Sequence, residues 1–517
     1  MPMGRGGRAF EPAANLLAVT YDANALSSTR TAVAAREQRN GLSLVREFDY
    51  ANTHVATRIV RVTTGTLAAA QAALQGTPGV KSVGRTGYRL RALSVTTPYF
   101  PDDPYFQGFT APAPLYESYS VPGQWDKHVE RLEDAFAYGK SGNNSGIVNA
   151  NALGSSSIKI AIIDTGEDTT HPELASKIKY TKCFVSDPNG VQSSSDFETD
   201  PQGHGTDVAG IAAADTNNSL GFTGSGGNAV IYGYRVFPTP DDNCVSDTTT
   251  DDQCGASTTD IASAIADATT QHVNVISMSL GGGGGSQNDA CTNGVDPDPN
   301  EAAAVANAIA ANIVIVASSG NDGGSPIAAP ACDTGVIAAG ATSIADGQPN
   351  GTGSSNGSSS SPNEYVASYS DYDVPGATVN SASAWGIVAP GGDPASDSDN
   401  DDLHWITNIW TTTPFDDNFS ANGSSPCTAD YNSVSGTVDC QVLIAGTSMA
   451  APNVAGAAAL ILSVNSSYQS ASAMKTLLCE TADDIADPNE GCGRLDVYRA
   501  MAKALNDPSP PSARAIP

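Results

Sequence analysis

Ile158-Lys159-Ile160-Ala161-Ile162-Ile163-Asp164-Thr165-Gly166 is the stretch that decides the fold. Residues 158–163 are a short apolar run, rich in β-branched side chains, that stops on an acid, a threonine and a glycine. Such a run suits a strand buried on both faces, as in a parallel sheet. Residues 230–237, 273–279, 313–317 and 336–341 have the same character, with helix-prone stretches between them at 206–214, 259–271 and 301–311. Strands alternating with helices of this length predict an α/β fold, a mostly parallel sheet flanked by helices. Ligands of such sheets bind beyond the carboxyl ends of the strands.

Working toward the N-terminus, residues 14–90 read as a separate small α+β unit. Residues 15–21, 57–63 and 79–83 are strand-like, while 28–39 and 66–74 are Ala-rich and helix-prone. Residues 92–125 are rich in Pro, Tyr, Ser and Thr, as a linker or cleavable joint would be. The chain therefore divides into a unit at 1–97, a linker and the start of the mature region at 98–150, a main domain at 151–506 and a Pro-rich, disordered tail at 507–517. Polar Gly/Ser/Asp-rich stretches near 239–258, 283–300, 346–363 and 393–440 read as surface insertions.

The formal charge of −30 over 517 residues is unevenly spread. Residues 1–97 hold 12 basic and 5 acidic side chains, and the remainder holds 13 and 50. A basic segment joined to an acidic body suggests two units that attract one another. The same acidity also keeps a secreted or salt-exposed protein soluble, and it argues against a nucleic-acid partner. No uninterrupted apolar run reaches the roughly 18–20 residues that span a bilayer, so a soluble protein without a membrane partner is expected. The nine cysteines include no CxxC pair, which disfavours zinc. Several stand in polar loops, where disulfides such as Cys244/Cys254, Cys427/Cys440 and Cys479/Cys492 would fit an oxidising, extracellular compartment, with one thiol left over. Met1 to Pro12 lacks the apolar stretch of a secretory signal.

Three motifs carry chemistry together. Asp164 ends its strand within Ile162-Ile163-Asp164-Thr165-Gly166; His204 stands between glycines in Gly203-His204-Gly205-Thr206; Ser448 opens an apolar helix in Gly446-Thr447-Ser448-Met449-Ala450-Ala451-Pro452. A serine hydroxyl is a poor nucleophile at neutral pH, so a histidine must take its proton as it attacks. A buried carboxylate holds that imidazole in the right tautomer and stabilises its charged form. Glycines beside the histidine allow close backbone approach. Pro452 is expected in the first helical turn, where its missing N–H costs nothing.

In this order and with these flanks, residues 155–505 resemble the subtilisin-like serine proteases, whose Asp, His, Ser order is the known one for subtilisin. The resemblance includes His171-Pro172-Glu173-Leu174, Ser277-Met278-Ser279-Leu280-Gly281, Ser319-Gly320-Asn321-Asp322 and Gly491-Cys492-Gly493. It implies a secreted serine endopeptidase acting on protein or peptide substrates through an acyl-enzyme, with Asp164, His204 and Ser448 as the triad. It implies that Asn321 and the Ser448 N–H form the oxyanion hole. Ser279, Leu280 and Gly281 would pair with an extended substrate, and residues 317–320, with Ser319 and Gly320, would wall the pocket before the scissile bond. No cofactor is implied for the chemistry, but a structural calcium at Glu173 and Asn218 is. The N-terminal unit is similar to the family's ferredoxin-like propeptide, an intramolecular inhibitor and folding aid removed by autoprocessing, and a monomer is expected. Two positions depart from the commonest pattern: Asp207 and Asn453 stand where histidines are usual.

Two other readings compete. Asp164-Thr165-Gly166 and Asp333-Thr334-Gly335 form a pair of DTG triplets, as in an aspartic protease sharing one proton between two carboxylates. That architecture is almost wholly β and leaves the His204 and Ser448 motifs unexplained. The other is a dead protease that only binds, against which the complete triad and the oxyanion asparagine argue.

Overall fold

The computed structural model describes residues 11–22, 27–50, 55–88, 99–103, 105–106, 124–140, 146–186, 192–193, 200, 202–238, 255–281, 290–324, 326–344, 364–373, 378–393, 405–411 and 441–512. They fall into two compact units, Met1–Val95 and Thr96–Pro517.

The first unit runs β1 (Glu11–Asp22), α1 (Ser27–Arg39), β2 (Leu42–Tyr50), β3 (Val55–Val62), α2 (Leu67–Gln75) and β4 (Val80–Tyr88). Its antiparallel sheet has the order β2-β3-β1-β4, the ferredoxin-like arrangement. Leu17, Val19, Val60, Val62 and Val83 form the sheet side of a small core closed by Val33, Ala70 and Leu74. The edge strand β2 escaped the sequence reading: three of its nine residues are charged, and Leu44 and Val45 are exposed.

The second unit begins with α3 (Trp125–Val129) and α4 (Leu132–Lys140). Its strands are β5 (Lys159–Asp164), β6 (Ile178–Cys183), a short hairpin β7 (Val185–Ser186) and β8 (Gln192–Ser193), β9 (Val230–Arg235), β10 (Val275–Met278), β11 (Val314–Ser318), β12 (Ile337–Ile344), β13 (Glu364–Val366), β14 (Gly386–Pro390), β15 (Ile406–Ile409) and β16 (Gln441–Ile444). Its longer helices are α5 (His204–Ala213), α6 (Thr258–Thr270), α7 (Pro299–Ala310), α8 (Thr447–Val464), α9 (Ala471–Thr481) and α10 (Val497–Ala504). The main sheet runs β13-β12-β11-β10-β5-β9-β6, with β14 also on β12, and every pairing except β12–β13 is parallel.

The opening stretch becomes the central strand β5, and its alternation builds two cores. Ile160 and Ile162 join Val208, Ile211 and Val454 on one face, while Ala161 and Ile163 join Ile261, Ile265 and Val305 on the other. Truncating one such isoleucine to alanine costs about 2–5 kcal/mol. The flanking helices start where side chains cap them: Ser257 accepts from Thr259 N before α6, and Asp298 from Asn300 N and Glu301 N before α7. Helix α8 has 18 residues and is apolar enough to cross a membrane by composition, but 83% of it is buried among the sheet and its neighbours.

Two expectations are corrected, and one disulfide is added. Pro452 lies inside α8 and not in its first turn. The tail is docked over its first residues: Asp507 is buried and accepts from the Tyr138 hydroxyl at 2.7 Å, and Arg131 donates to the Ser512 carbonyl. A disulfide joins Cys291 to Cys332, 41 residues apart, which the preference for close pairs passed over. Cys479–Cys492 forms as expected, and Cys183 is a buried free thiol. Cys244/Cys254 and Cys427/Cys440 lie outside the described residues.

Candidate active site

Asp164 sits at the carboxyl end of β5, fully buried, and Thr165 N donates to its Oδ1 at 2.7 Å. His204 is the first residue of α5, and its Nδ1 lies 2.7 Å from the same oxygen. The flanking glycines are required by contact. A Cβ on Gly203 would sit 2.2 Å from the Trp410 ring, and one on Gly205 would sit 1.9 Å from the Gly166 carbonyl. Burial of the imidazole opposes its charging, but the charge and hydrogen bond of Asp164 outweigh this and push His204 up to about 9.

A residue that sequence reasoning missed holds this pair together. Asp200 is fully buried, and its Oδ1 accepts from Thr165 Oγ1, Gln202 N and Gly203 N at 2.8–2.9 Å. Its Oδ2 accepts from Thr206 N and Thr206 Oγ1, both at 2.8 Å. Thr165 Oγ1 in turn accepts from Gly205 N at 2.7 Å. One carboxylate thus ties the end of β5 to the start of α5 on both sides of His204. The only advance signal was an acid four residues before the histidine.

Ser448 is the second residue of α8. Its Oγ donates to the Ser279 carbonyl at 3.4 Å in this conformation and not to His204. Ser279 Oγ donates to the Ser448 carbonyl at 2.7 Å. That carbonyl is four residues before Pro452, so it has no intrahelical N–H to accept from. The serine beside β10 replaces the bond the proline removes, which is why an internal proline is tolerated here.

Asn321 follows β11, and its Oδ1 accepts from Thr447 N at 2.9 Å and Thr447 Oγ1 at 2.8 Å. Its amide nitrogen therefore faces the serine. A point one bond from the Gly446 Cα lies 3.6 Å from both Asn321 Nδ2 and Ser448 N, so two donors converge beside Ser448. Residues 279–281 and 318–320 leave the carboxyl ends of the adjacent parallel strands β10 and β11. Ser318 Oγ donates across the gap to the Leu280 carbonyl at 3.3 Å. Ser279 and Leu280 are nearly buried, and Gly281 is exposed.

The departures Asp207 and Asn453 enter a buried polar group beneath α5. Lys127, fully buried, pairs with Asp126 at 3.1 Å and donates to Ser225 Oγ at 2.9 Å and to Asn453 Oδ1. Asp207 is fully buried, and burial raises its carboxyl well above the usual range against the nearby His204 and Lys127 charges. Glu167, three residues past Asp164, is likewise buried and raised by desolvation and by Asp200 and Asp164. Gly233 makes room for it: a Cβ there would lie 1.8 Å from Glu167 Oε2. The two DTG acids have separate partners, since Asp333 accepts from Asp296 N at 2.7 Å, so no shared-proton dyad is built.

Glu173 and Asn218 do come together, with Asn218 Nδ2 donating to Glu173 Oε2 at 3.4 Å. Asp103, fully buried, accepts from Asn217 N, Asn218 N and Thr223 Oγ1, and burial pushes its carboxyl up to about 6. Gly221 leaves space beside Glu173 Oε1, where a Cβ would come within 3.0 Å. Among the described residues no three His, Cys, Asp or Glu side chains cluster as metal ligands. The carboxylates, amide and backbone oxygens at this loop are nonetheless the donor chemistry a hard cation takes.

The model of the subtilase family of peptidases matches residues 155–496. The chain belongs to the subtilase family. Thermitase of Thermoactinomyces vulgaris is 30% identical over 349 residues, covering 67% of this chain and 89% of that protein. Subtilisin DY of Bacillus licheniformis is 30% identical over 344 residues, covering 66% and 89%. An extracellular protease of Xanthomonas campestris is 29% identical over 413 residues, covering 73% and 57%. This subtilase is a serine endopeptidase, and members of the family typically need no cofactor for catalysis.

Proposed function

We propose that this subtilase is a secreted endopeptidase, made as an autoprocessed zymogen, with Asp164, His204 and Ser448 as its triad. The 2.7 Å contact of His204 Nδ1 with buried Asp164 is the observation that carries the assignment. It fixes the tautomer, leaving Nε2 to take a proton. Ser448 Oγ attacks the scissile carbonyl carbon as its proton passes to His204 Nε2, and the carbonyl electrons move onto oxygen. Asn321 Nδ2 and Ser448 N receive that oxyanion. As the carbonyl reforms, the C–N bond breaks and the amine leaves with the proton from His204, giving the acyl-enzyme. Water then repeats the sequence and releases the acid. An extended substrate pairs with Ser279, Leu280 and Gly281, its side chain entering between them and residues 317–320, including Ser319 and Gly320.

The ferredoxin-like unit, with its excess of basic residues, is the intramolecular inhibitor of the acidic catalytic domain. The disulfides Cys291–Cys332 and Cys479–Cys492 support an oxidising, extracellular location, and the protein works as a monomer. Calcium, held by Glu173 and Asn218 with Asp103 beside them, would stabilise the loop at 217–223 and take no part in catalysis. The test follows casein hydrolysis and intact mass together for the full chain and Ser448→Ala. Wild type should digest casein and lose residues up to about position 97, and the variant should do neither. Casein hydrolysis by Ser448→Ala would refute the triad, while a persistent full-length mass in active enzyme would refute the zymogen.

A further inference from the structure

Asn321 lies in an exposed turn, yet an oxyanion donor must be held in place before the substrate arrives. Thr447 fixes its side chain, but something else has to fix the turn that carries it. The bonds that do so converge on Asp371, a nearly buried residue five positions past β13. Its Oδ1 accepts from Asp322 N at 3.1 Å and Gly324 N at 2.9 Å, the residues following Asn321. Its own N–H donates to the Gly320 carbonyl at 3.0 Å, and its carbonyl accepts from Ser319 Oγ at 2.8 Å. Both sides of Asn321 are thus tied to one residue. Gly320 confirms how closely they fit: its φ is +116°, and a Cβ there would lie 2.2 Å from Asp371 Oδ2. Tyr369 and Tyr372 extend the same contact through Gly323 N to the Tyr369 carbonyl at 2.7 Å and Tyr372 N to the Gly324 carbonyl at 2.9 Å.

We infer that Asp371 is a positioning residue of the oxyanion hole, holding residues 319–324 so that Asn321 meets the developing oxyanion. It touches neither substrate nor nucleophile and acts only through Asn321. The inference rests on the role proposed for Asn321.

The experiment is a double-mutant cycle on the full chain, measuring kcat, KM and thermal midpoint with a chromogenic peptide. Active sites are titrated so that rates refer to folded enzyme. Asn321→Ala should lower kcat by about 10²–10³, a magnitude known from subtilisin itself. Asp371→Ala should lower kcat about ten- to a hundredfold with KM changed less than about twofold, because a misplaced donor weakens transition-state binding alone. Asp371→Asn keeps the Oδ1 acceptor and should stay within about threefold of wild type. In the Asn321→Ala background, Asp371→Ala should add less than about twofold, since its route to the reaction is gone. An equal loss in both backgrounds, unchanged kcat in Asp371→Ala, or an Asp371→Asn variant as damaged as Asp371→Ala would each overturn the inference. Where Asp371→Ala does not fold, Asp371→Ser is carried through the same cycle, with the same outcomes deciding. Full kcat in Asn321→Ala would instead overturn the oxyanion role on which the inference stands.

Discussion

In the proposed mechanism His204 acts as a base only while neutral, and Asp164 works against that at rest. The carboxylate holds the imidazolium, pushing His204 up to about 9, and the same attraction stabilises the charge that forms when Ser448 gives up its proton. Activity should therefore rise with pH through a midpoint above the ordinary imidazole value near 6.5. Removing the negative charge lowers that pKa, so Asp164→Asn should move the acid limb of kcat/KM to lower pH while cutting kcat by about 10⁴. A pH–rate profile checks both, and an unmoved limb would break the link between the two residues. At this scale the proposed reactive groups stand out in the sequence because each needs a rare neighbourhood, such as a histidine with glycine on both sides. Asp200, Asp207, Glu167 and Lys127 could not. Their roles depend on burial and on partners brought together from distant segments, and a single acid or lysine in the sequence reveals neither.

Elements were legible where periodicity and length agreed. The core strands and helices fall within a few residues of expectation, and β5 turned out central because both of its faces are apolar. What escaped were features fixed by tertiary contacts: the exposed edge β2, the docked tail, and the place of Pro452 inside α8, where Ser279 bonds the Ser448 carbonyl that the proline leaves without a partner. The segment at 99–103 and 105–106 is another. Read as part of a linker, it is pinned to the loop at 217–223: Asp103 accepts from Asn217 N and Asn218 N, Asp102 from Ser219 N at 2.9 Å, and Tyr105 stacks on Phe222 at 4.3 Å. If calcium joins Glu173 and Asn218 there, a chelator should lower the thermal midpoint by about 5 °C. Glu173→Gln should lower it similarly and abolish the response to chelator. A midpoint indifferent to chelator in the wild type would remove the metal from this loop.

For the whole molecule, the charge contrast between a basic N-terminal unit and an acidic body was visible in the composition. So was the α/β class, because short buried strands alternate with helices along the sequence, as a mostly parallel sheet requires. The three motifs, separated by up to 284 residues, are carried by β5, α5 and α8, which pack together in the same core. The convergence of those elements on one nucleophile is the central claim, and covalent labelling tests it most directly. The full chain is treated with a fluorophosphonate, digested, and mapped by mass spectrometry. A single adduct on Ser448, absent from His204→Ala, is the predicted result. An unlabelled Ser448 in protein that still hydrolyses casein would contradict the account.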